Sequence, residues 1–249
     1  MPSRPLIRLR PAAYDHGDPT RGGWPIVALV VTLVASNVMS NGVLPDWLYV
    51  PWNLAATGVV VLIALRWDRC TLAHLGLTKE EAKSGLRWGG SIALVIIVGM
   101  TLFALLPWTS QAYEDSRADV SGWVVAYRAL IAIPFGTVLF EEVSFRGVLP
   151  GLVDHHRSHR FAVITSALLF GLWHVLPSLT LSESNDALSD ELPGILGQLV
   201  GIGGGVVFTA FVGFLFMWIR DRSGSVVAPA LVHIATNSTG FVLAWFIQS

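Results

Sequence analysis

Seven stretches of this chain are long and apolar enough to cross a bilayer, and this requirement restricts the fold before any motif is considered. Roughly 20 residues are needed to traverse about 30 Å of hydrocarbon as a helix. Lipid offers no water to an exposed backbone, so each such stretch must satisfy its own hydrogen bonds by coiling. The stretches run approximately over Trp24–Leu44, Leu48–Leu65, Gly89–Trp108, Ser121–Phe140, Phe161–Leu179, Leu192–Ile219 and Val226–Ile247. Pro45 and Pro51 bracket the start of the second, and the fourth runs on past Phe140 into polar sequence. Hydrophobic residues make up 53% of the chain and charged ones only 13%, which leaves no segment for a soluble second domain. The ten tryptophans suit membrane–water interfaces. We expect an all-α, polytopic transmembrane helical bundle of about seven spans. Residues 24–249 would form one transmembrane domain, behind a disordered cytoplasmic tail over 1–23. The arginines before Trp24–Ala35 suggest a signal peptide, but the apolar stretch continues to about Leu44 with no small-x-small cleavage site, which favours a retained span.

The formal net charge of −1 gives no support to nucleic-acid binding, but the charges are segregated along the chain. Lys and Arg accumulate on the cytoplasmic side of membrane proteins. Arg4, Arg8, Arg10 and Arg21 precede the first stretch, and Arg66, Arg69, Lys79, Lys83 and Arg87 lie between the second and third. Arg146, Arg157 and Arg160 follow the fourth, and Arg220 and Arg222 follow the sixth. The alternate connections hold only Arg117, and the one before the sixth stretch is acidic, with Glu183, Asp186, Asp190 and Glu191. This alternation predicts a multi-pass cell-membrane protein with a cytoplasmic amino terminus and an external carboxyl terminus. Leu77–Arg87 reads either as a short amphipathic surface helix, with Leu77, Ala82 and Leu86 towards lipid, or as a solvated connector. Gly197, Gly201 and Gly205, four residues apart, suit close helix packing. The single cysteine, Cys70, argues against a disulfide framework and against a cysteine metal site, and reads as a bystander flanking a span.

Three clusters of polar residues interrupt the apolar pattern. In Glu141-Glu142-Val143-Ser144-Phe145-Arg146, Glu142 and Arg146 are four apart, in the favourable order for a helical ion pair. Glu141 projects about 100° away from Glu142. The spacing predicts a brace made by Glu142 and Arg146, with Glu141 free to face a cavity; a charged helix end at the membrane surface is the simpler alternative. Phe170-Gly171-Leu172-Trp173-His174 places a histidine in the fifth stretch, with Phe170 and Trp173 reading as core or interface side chains. Pro177 is expected to end or kink that helix. His233-Ile234-Ala235-Thr236-Asn237 puts His233 and Asn237 on one helical face, with Pro229 a candidate bend just before them. A hydrogen-bonded packing role is open for each histidine and for the His233–Asn237 pair. Ionisable groups at such depth usually face partners or water. Together these groups suffice for hydrolysis. A carboxylate and a histidine can activate water, and a second histidine and an amide can donate to an oxyanion. Glu141, His174 and His233 would equally suit a divalent ion such as zinc with water in the fourth position, although no H-E-x-x-H helix is present. His155, His156 and His159 read as surface residues of a cytoplasmic loop, with a metal role as the lesser alternative.

The ordered set E-E-V-S-F-R, F-G-L-W-H and H-I-A-T-N resembles the CAAX protease and bacteriocin-processing family, also called Abi, whose members are intramembrane proteases often described as metalloproteases. The family pattern is E-E-x-x-x-R, F-x-x-x-H and H-x-x-x-N on successive core helices. Glu141, Glu142, Arg146, Phe170, His174, His233 and Asn237 fill every position, so the resemblance covers a protease-like core over about 121–247. It implies a helical bundle around a polar cavity open to the cytoplasmic side. It also implies that Glu141 and His174 activate the attacking water, that His233 and Asn237 stabilise the oxyanion, and that Glu142 and Arg146 support the site. The expected activity is that of an endopeptidase cutting a membrane-associated peptide or protein near the cytoplasmic face. A non-enzymatic immunity or scaffold protein that binds a peptide or membrane partner, and a proton-coupled transporter, are the alternatives. The prenyl-processing members have been described with eight spans, against seven here, and the first half of this chain carries no matching motif.

Overall fold

A computed structural model describes residues 23–106, 108–109, 113, 116–183 and 195–249. The tail over 1–22 and the acidic connection containing Asp186, Asp190 and Glu191 lie outside the described residues. Seven helical stretches are long and apolar enough to cross a membrane, so the expected all-α, seven-span architecture is found. They are α1 (Trp24–Val43), α2 (Asp46–Trp67), α3 (Lys79–Ala104), α4 (Gly122–His156), the pair α5 (His159–Trp173) and α6 (Val175–Glu183), α7 (Ile195–Ser223) and α8 (Val227–Gln248). α3 packs along α8, α5 packs along α7, and the first half of α4 lies against α2 and α8.

The burial pattern is that of a protein dissolved in lipid. Leu94, Val95, Leu168, Phe208 and Phe211 point outward, whereas Glu142 and Arg146 are wholly enclosed. Hydrocarbon accepts the apolar faces, and the polar groups gain by facing each other.

Leu77–Arg87 belongs to neither of its two expected forms. Thr78 caps α3, its hydroxyl accepting from the Glu81 N–H while the Glu81 carboxylate accepts from the Thr78 N–H. This reciprocal box satisfies two of the donors that a helix start leaves over, and one continuous helix then runs from Lys79 to Ala104. Just upstream Gly76 takes a left-handed φ of 71°, where a Cβ would also meet the Arg220 guanidinium at 2.7 Å. Farther along, Gly89 lets α3 touch α8: a Cβ there would sit 2.6 Å from the Ala228 carbonyl oxygen. A Gly89→Leu substitution is expected to cost about 1–3 kcal/mol through overpacking, read as a lower thermal midpoint in detergent. Gly90→Ala, where nothing lies within 4 Å, is the silent control, and equal midpoints would refute the close contact.

α4 extends 16 residues past the predicted end of its apolar stretch at Phe140, reaching His156. Residues 140–153 are all buried, so protein rather than lipid surrounds them and their hydropathy need not be high. The helix is not uniform. Wide π-type turns over Arg128–Val138 and Val143–Val148 flank a four-residue α-helical piece, Leu139–Glu142, that carries both glutamates. The first wide segment contains Pro134, whose ring nitrogen cannot donate; the Leu139 N–H reaches back five residues to the Pro134 carbonyl. Such local widening recurs at functional sites.

Pro229 makes no bend. It sits in the first turn of α8, which begins only at Val227, and a first-turn residue has no use for an intrahelical donor.

Candidate active site

Pro177 does break the fifth span, and the way it does so sets the position of His174. Lacking an N–H, Pro177 cannot bond the carbonyl four residues back, at Trp173. α5 accordingly stops at Trp173, His174 adopts φ −85° and ψ 3°, and α6 restarts at Val175. The Trp173 carbonyl instead accepts from Asn37 Nδ2 of α1 at 2.9 Å. The partly buried His174 donates Nδ1–H to the Phe170 carbonyl at 2.8 Å, a bond that leaves its Nε2 as the open nitrogen.

Glu141 and His174 are each fifteen residues from the turn that joins α4 to α5, counted from His156 and His159 respectively. They are therefore level along the hairpin, roughly 20 Å from its turn at helical rise. The depth that His174 would have in a short fourth span is matched because the fourth helix is long.

Glu141 is 5% exposed. Its Oε1 accepts from Trp173 Nε1 at 2.9 Å, and its Oε2 lies 4.0 Å from His233 Nε2. Buried Oε2 takes no hydrogen bond from the described residues, so one carboxylate oxygen is fixed and the other is available for chemistry. Glu142 joins two helices. Its Oε1 accepts from His233 Nδ1 at 2.8 Å and its Oε2 lies 3.3 Å from Arg146 Nε. The expected Glu142–Arg146 pair is therefore present, and His233 joins it. The Glu142–Arg146 contact is one of charge rather than an aligned hydrogen bond. The guanidinium is also held over the Phe170 ring at 3.8 Å and the Phe216 ring at 5.0 Å, where the electron-rich ring faces attract a cation.

Aromatic rings fill the space between the polar groups. Phe170 meets His174 edge-on at 4.7 Å and His233 at 6.2 Å, and Phe216 lies 5.3 Å from His233. Phe140 and Phe145 pack on Trp173 at 5.6 and 5.7 Å. The structure thus gathers Glu141, Glu142, Arg146, Phe170, His174 and His233 around one ring cluster. Asn237 stands apart: it is exposed, one turn beyond His233, and its Oδ1 lies 3.5 Å from Thr236 Oγ1.

Three contributors escape the motif. Trp173 is more than a core side chain, because its indole N–H holds Glu141. Phe216 of α7 covers Arg146 and His233. Asn37 fixes the bend at His174; the polar stripe Ser36, Asn37, Ser40 and Asn41 within an otherwise apolar helix is the sequence signal for it.

The geometry also bears on a metal. Three ligands of one tetrahedral ion must converge to within a few ångströms of each other. Glu141, His174 and His233 do not form such a group; the one that forms among the described residues is Asp68, Cys70 and His155. Glu141 Oε1, His174 Nδ1 and His233 Nδ1 are held by other partners, which leaves Glu141 Oε2 and the two Nε2 atoms as the donors open to an ion. As arranged, Glu141 Oε2 and His233 Nε2 lie 4.0 Å apart, but the three donors do not all fall within 4.8 Å of one another.

No curated protein and no solved structure matches the chain. Residues 122–239 match the family model described as type II CAAX prenyl endopeptidase Rce1-like, and this stretch contains every one of the gathered residues and Asn237. That segment is just under half of the chain, and over it the chain is similar to the Rce1-like CAAX protease family of membrane proteins that its three motifs also resemble.

Proposed function

We propose that this protein is an intramembrane endopeptidase that hydrolyses a peptide bond of a membrane-associated substrate near the cytoplasmic face. The observation that carries the reading is the asymmetric Glu141 carboxylate. Trp173 pins Oε1 and leaves the enclosed Oε2 facing His233. A water placed against Oε2 would lose its proton to the carboxylate as it attacks the substrate carbonyl, with His174 Nε2 orienting the water or passing the proton to the leaving amine. His233 gives its Nδ1–H to Glu142; with a second ring proton at Nε2 the imidazolium would also donate to the developing oxyanion. Asn237 would join it on the same helical face once substrate fills the space beside α8. Glu142 and Arg146 keep His233 and Phe170 in place. No step is routed through a metal.

The test is a comparison of membrane-bound peptides, by mass spectrometry, from cells carrying wild type or Glu141→Ala. Accumulation of uncut precursor and loss of product in the variant is the expected result. Identical peptide sets, with any protective or binding activity intact, would favour the scaffold reading instead.

Trp173→Phe isolates the pinning bond. It keeps the aromatic contacts with Phe140 and Phe145 while removing one hydrogen bond to a charged group, worth about 1.5–3 kcal/mol. We expect kcat to fall about 10- to 100-fold with little change in KM. Undiminished kcat would show that the orientation of Glu141 does not depend on the indole.

A further inference from the structure

Four metal-ligating side chains meet where the connection after α2 passes the end of α4. Asp68 and Cys70 follow α2 directly and are 6% and 4% exposed, so Cys70 is no surface bystander. Cys70 Sγ lies 3.4 Å from Asp68 Oδ2, and His155 Nδ1 contacts that same oxygen. His156 Nε2 lies 3.7 Å from the other oxygen, Asp68 Oδ1. His155 and His156 are thus turned inward onto Asp68 rather than spread over a surface loop. The donor atoms of Asp68, Cys70 and His155 all lie within 4.8 Å of one another.

The backbone is committed to this arrangement. The Asp68 N–H donates to the Ile63 carbonyl and the Cys70 N–H to the Ala64 carbonyl. Arg69 between them takes φ 55°, a conformation that non-glycine residues seldom adopt.

We propose that Asp68, Cys70 and His155, whose donor atoms already converge, bind zinc, and that His156 turns in from beside Asp68 Oδ1 as the fourth tetrahedral ligand, tying the α2–α3 connection to the end of α4. A thiolate with two imidazoles and one carboxylate suits zinc and disfavours magnesium or calcium. Zinc–sulfur and zinc–oxygen bonds of about 2.3 and 2.0 Å at a tetrahedral angle set sulfur and oxygen about 3.5 Å apart, close to the spacing found here. Binding displaces one proton to solvent, from the Cys70 thiol, while the neutral His155 ring carries its proton on Nε2 and offers Nδ1 to the ion; nothing is oxidised. The His156 side chain, 32% exposed, marks the entry path. Because the donors sit at the α4–α5 turn, this ion would be structural and roughly 20 Å from Glu141. The inference stands independently of the proposed hydrolysis.

The experiment uses the full chain purified in detergent. Elemental analysis should find about one zinc per chain in wild type and in Glu141→Gln, with at least about tenfold less retained in Cys70→Ser and His155→Gln. Wild type stripped by a chelator and reloaded with Co²⁺ should show a thiolate-to-cobalt charge-transfer band and the visible bands of a tetrahedral site. The stripped protein should also unfold at a lower temperature and recover when Zn²⁺ is returned. If Cys70→Ser fails to accumulate, the cobalt spectrum of wild type decides alone. The site is overturned if that spectrum lacks the thiolate band. It is equally overturned if zinc is lost from Glu141→Gln and kept in Cys70→Ser, which would place the metal at the other centre.

Discussion

Glu141→Gln protein is expected to insert, fold and unfold at the wild-type temperature while losing cleavage by about 10²- to 10⁴-fold, the usual contribution of a general base. The amide keeps an oxygen to accept from Trp173 Nε1, so the 2.9 Å bond that positions the side chain survives. What disappears is the basicity of Oε2, the oxygen that faces His233 Nε2 at 4.0 Å. Glu141→Ala removes the acceptor as well and leaves a buried indole N–H unsatisfied, at about 1–3 kcal/mol. It should be equally inactive but less stable. His174→Ala should join the inactive class with its fold intact. Product release by purified variant protein in detergent, followed beside its thermal midpoint, separates the outcomes. Cleavage at the wild-type rate by any of the three removes the assignment.

The opposite pattern is expected for Arg146→Met, where stability fails along with activity. Arg146 and Glu142 are both fully buried, and deleting one partner of such a pair costs about 3–5 kcal/mol because the other is left as an uncompensated charge. Glu142 would keep only His233, and Phe170 and Phe216 would lose the cation between them. Glu142→Gln combined with Arg146→Met should recover part of the loss, since neither site then holds an uncompensated charge, and a double-mutant cycle reads that coupling. Accumulation and melting of Arg146→Met at wild-type values, with only catalysis lost, would show that the pair is no brace.

The spans and the three motifs were legible because both rest on local pattern. Apolar length alone marks a helix in lipid, and Glu142 with Arg146, or His233 with Asn237, are helical neighbours. The extension of α4 beyond Arg146 to His156 was not legible, because residues 147–153 are enclosed by protein and carry no lipid-imposed composition. Long-range pairs of single residues were equally hidden. Asn37 meets the Trp173 carbonyl across 136 positions, and Asp68 meets His155 across 87. Neither pair has a period or a spacing, so Cys70 passed for a bystander and His155 for a surface residue. Asn237 shows the reverse. Its register with His233 was readable, but its exposure beside the cluster depends on how α8 is rotated in the bundle.

The Asn37 contact has a consequence for how much chain the site requires. The segment 122–239 carries all the residues of the motifs, yet the carbonyl freed by Pro177 is satisfied from α1. In hydrocarbon an unsatisfied backbone group costs several kcal/mol, so a fragment starting at residue 122 would relieve it by moving the bend, and His174 with it. The amino-terminal spans thus help to fix where His174 lies, and the unit that sets the geometry of the cluster is larger than the recognisable one.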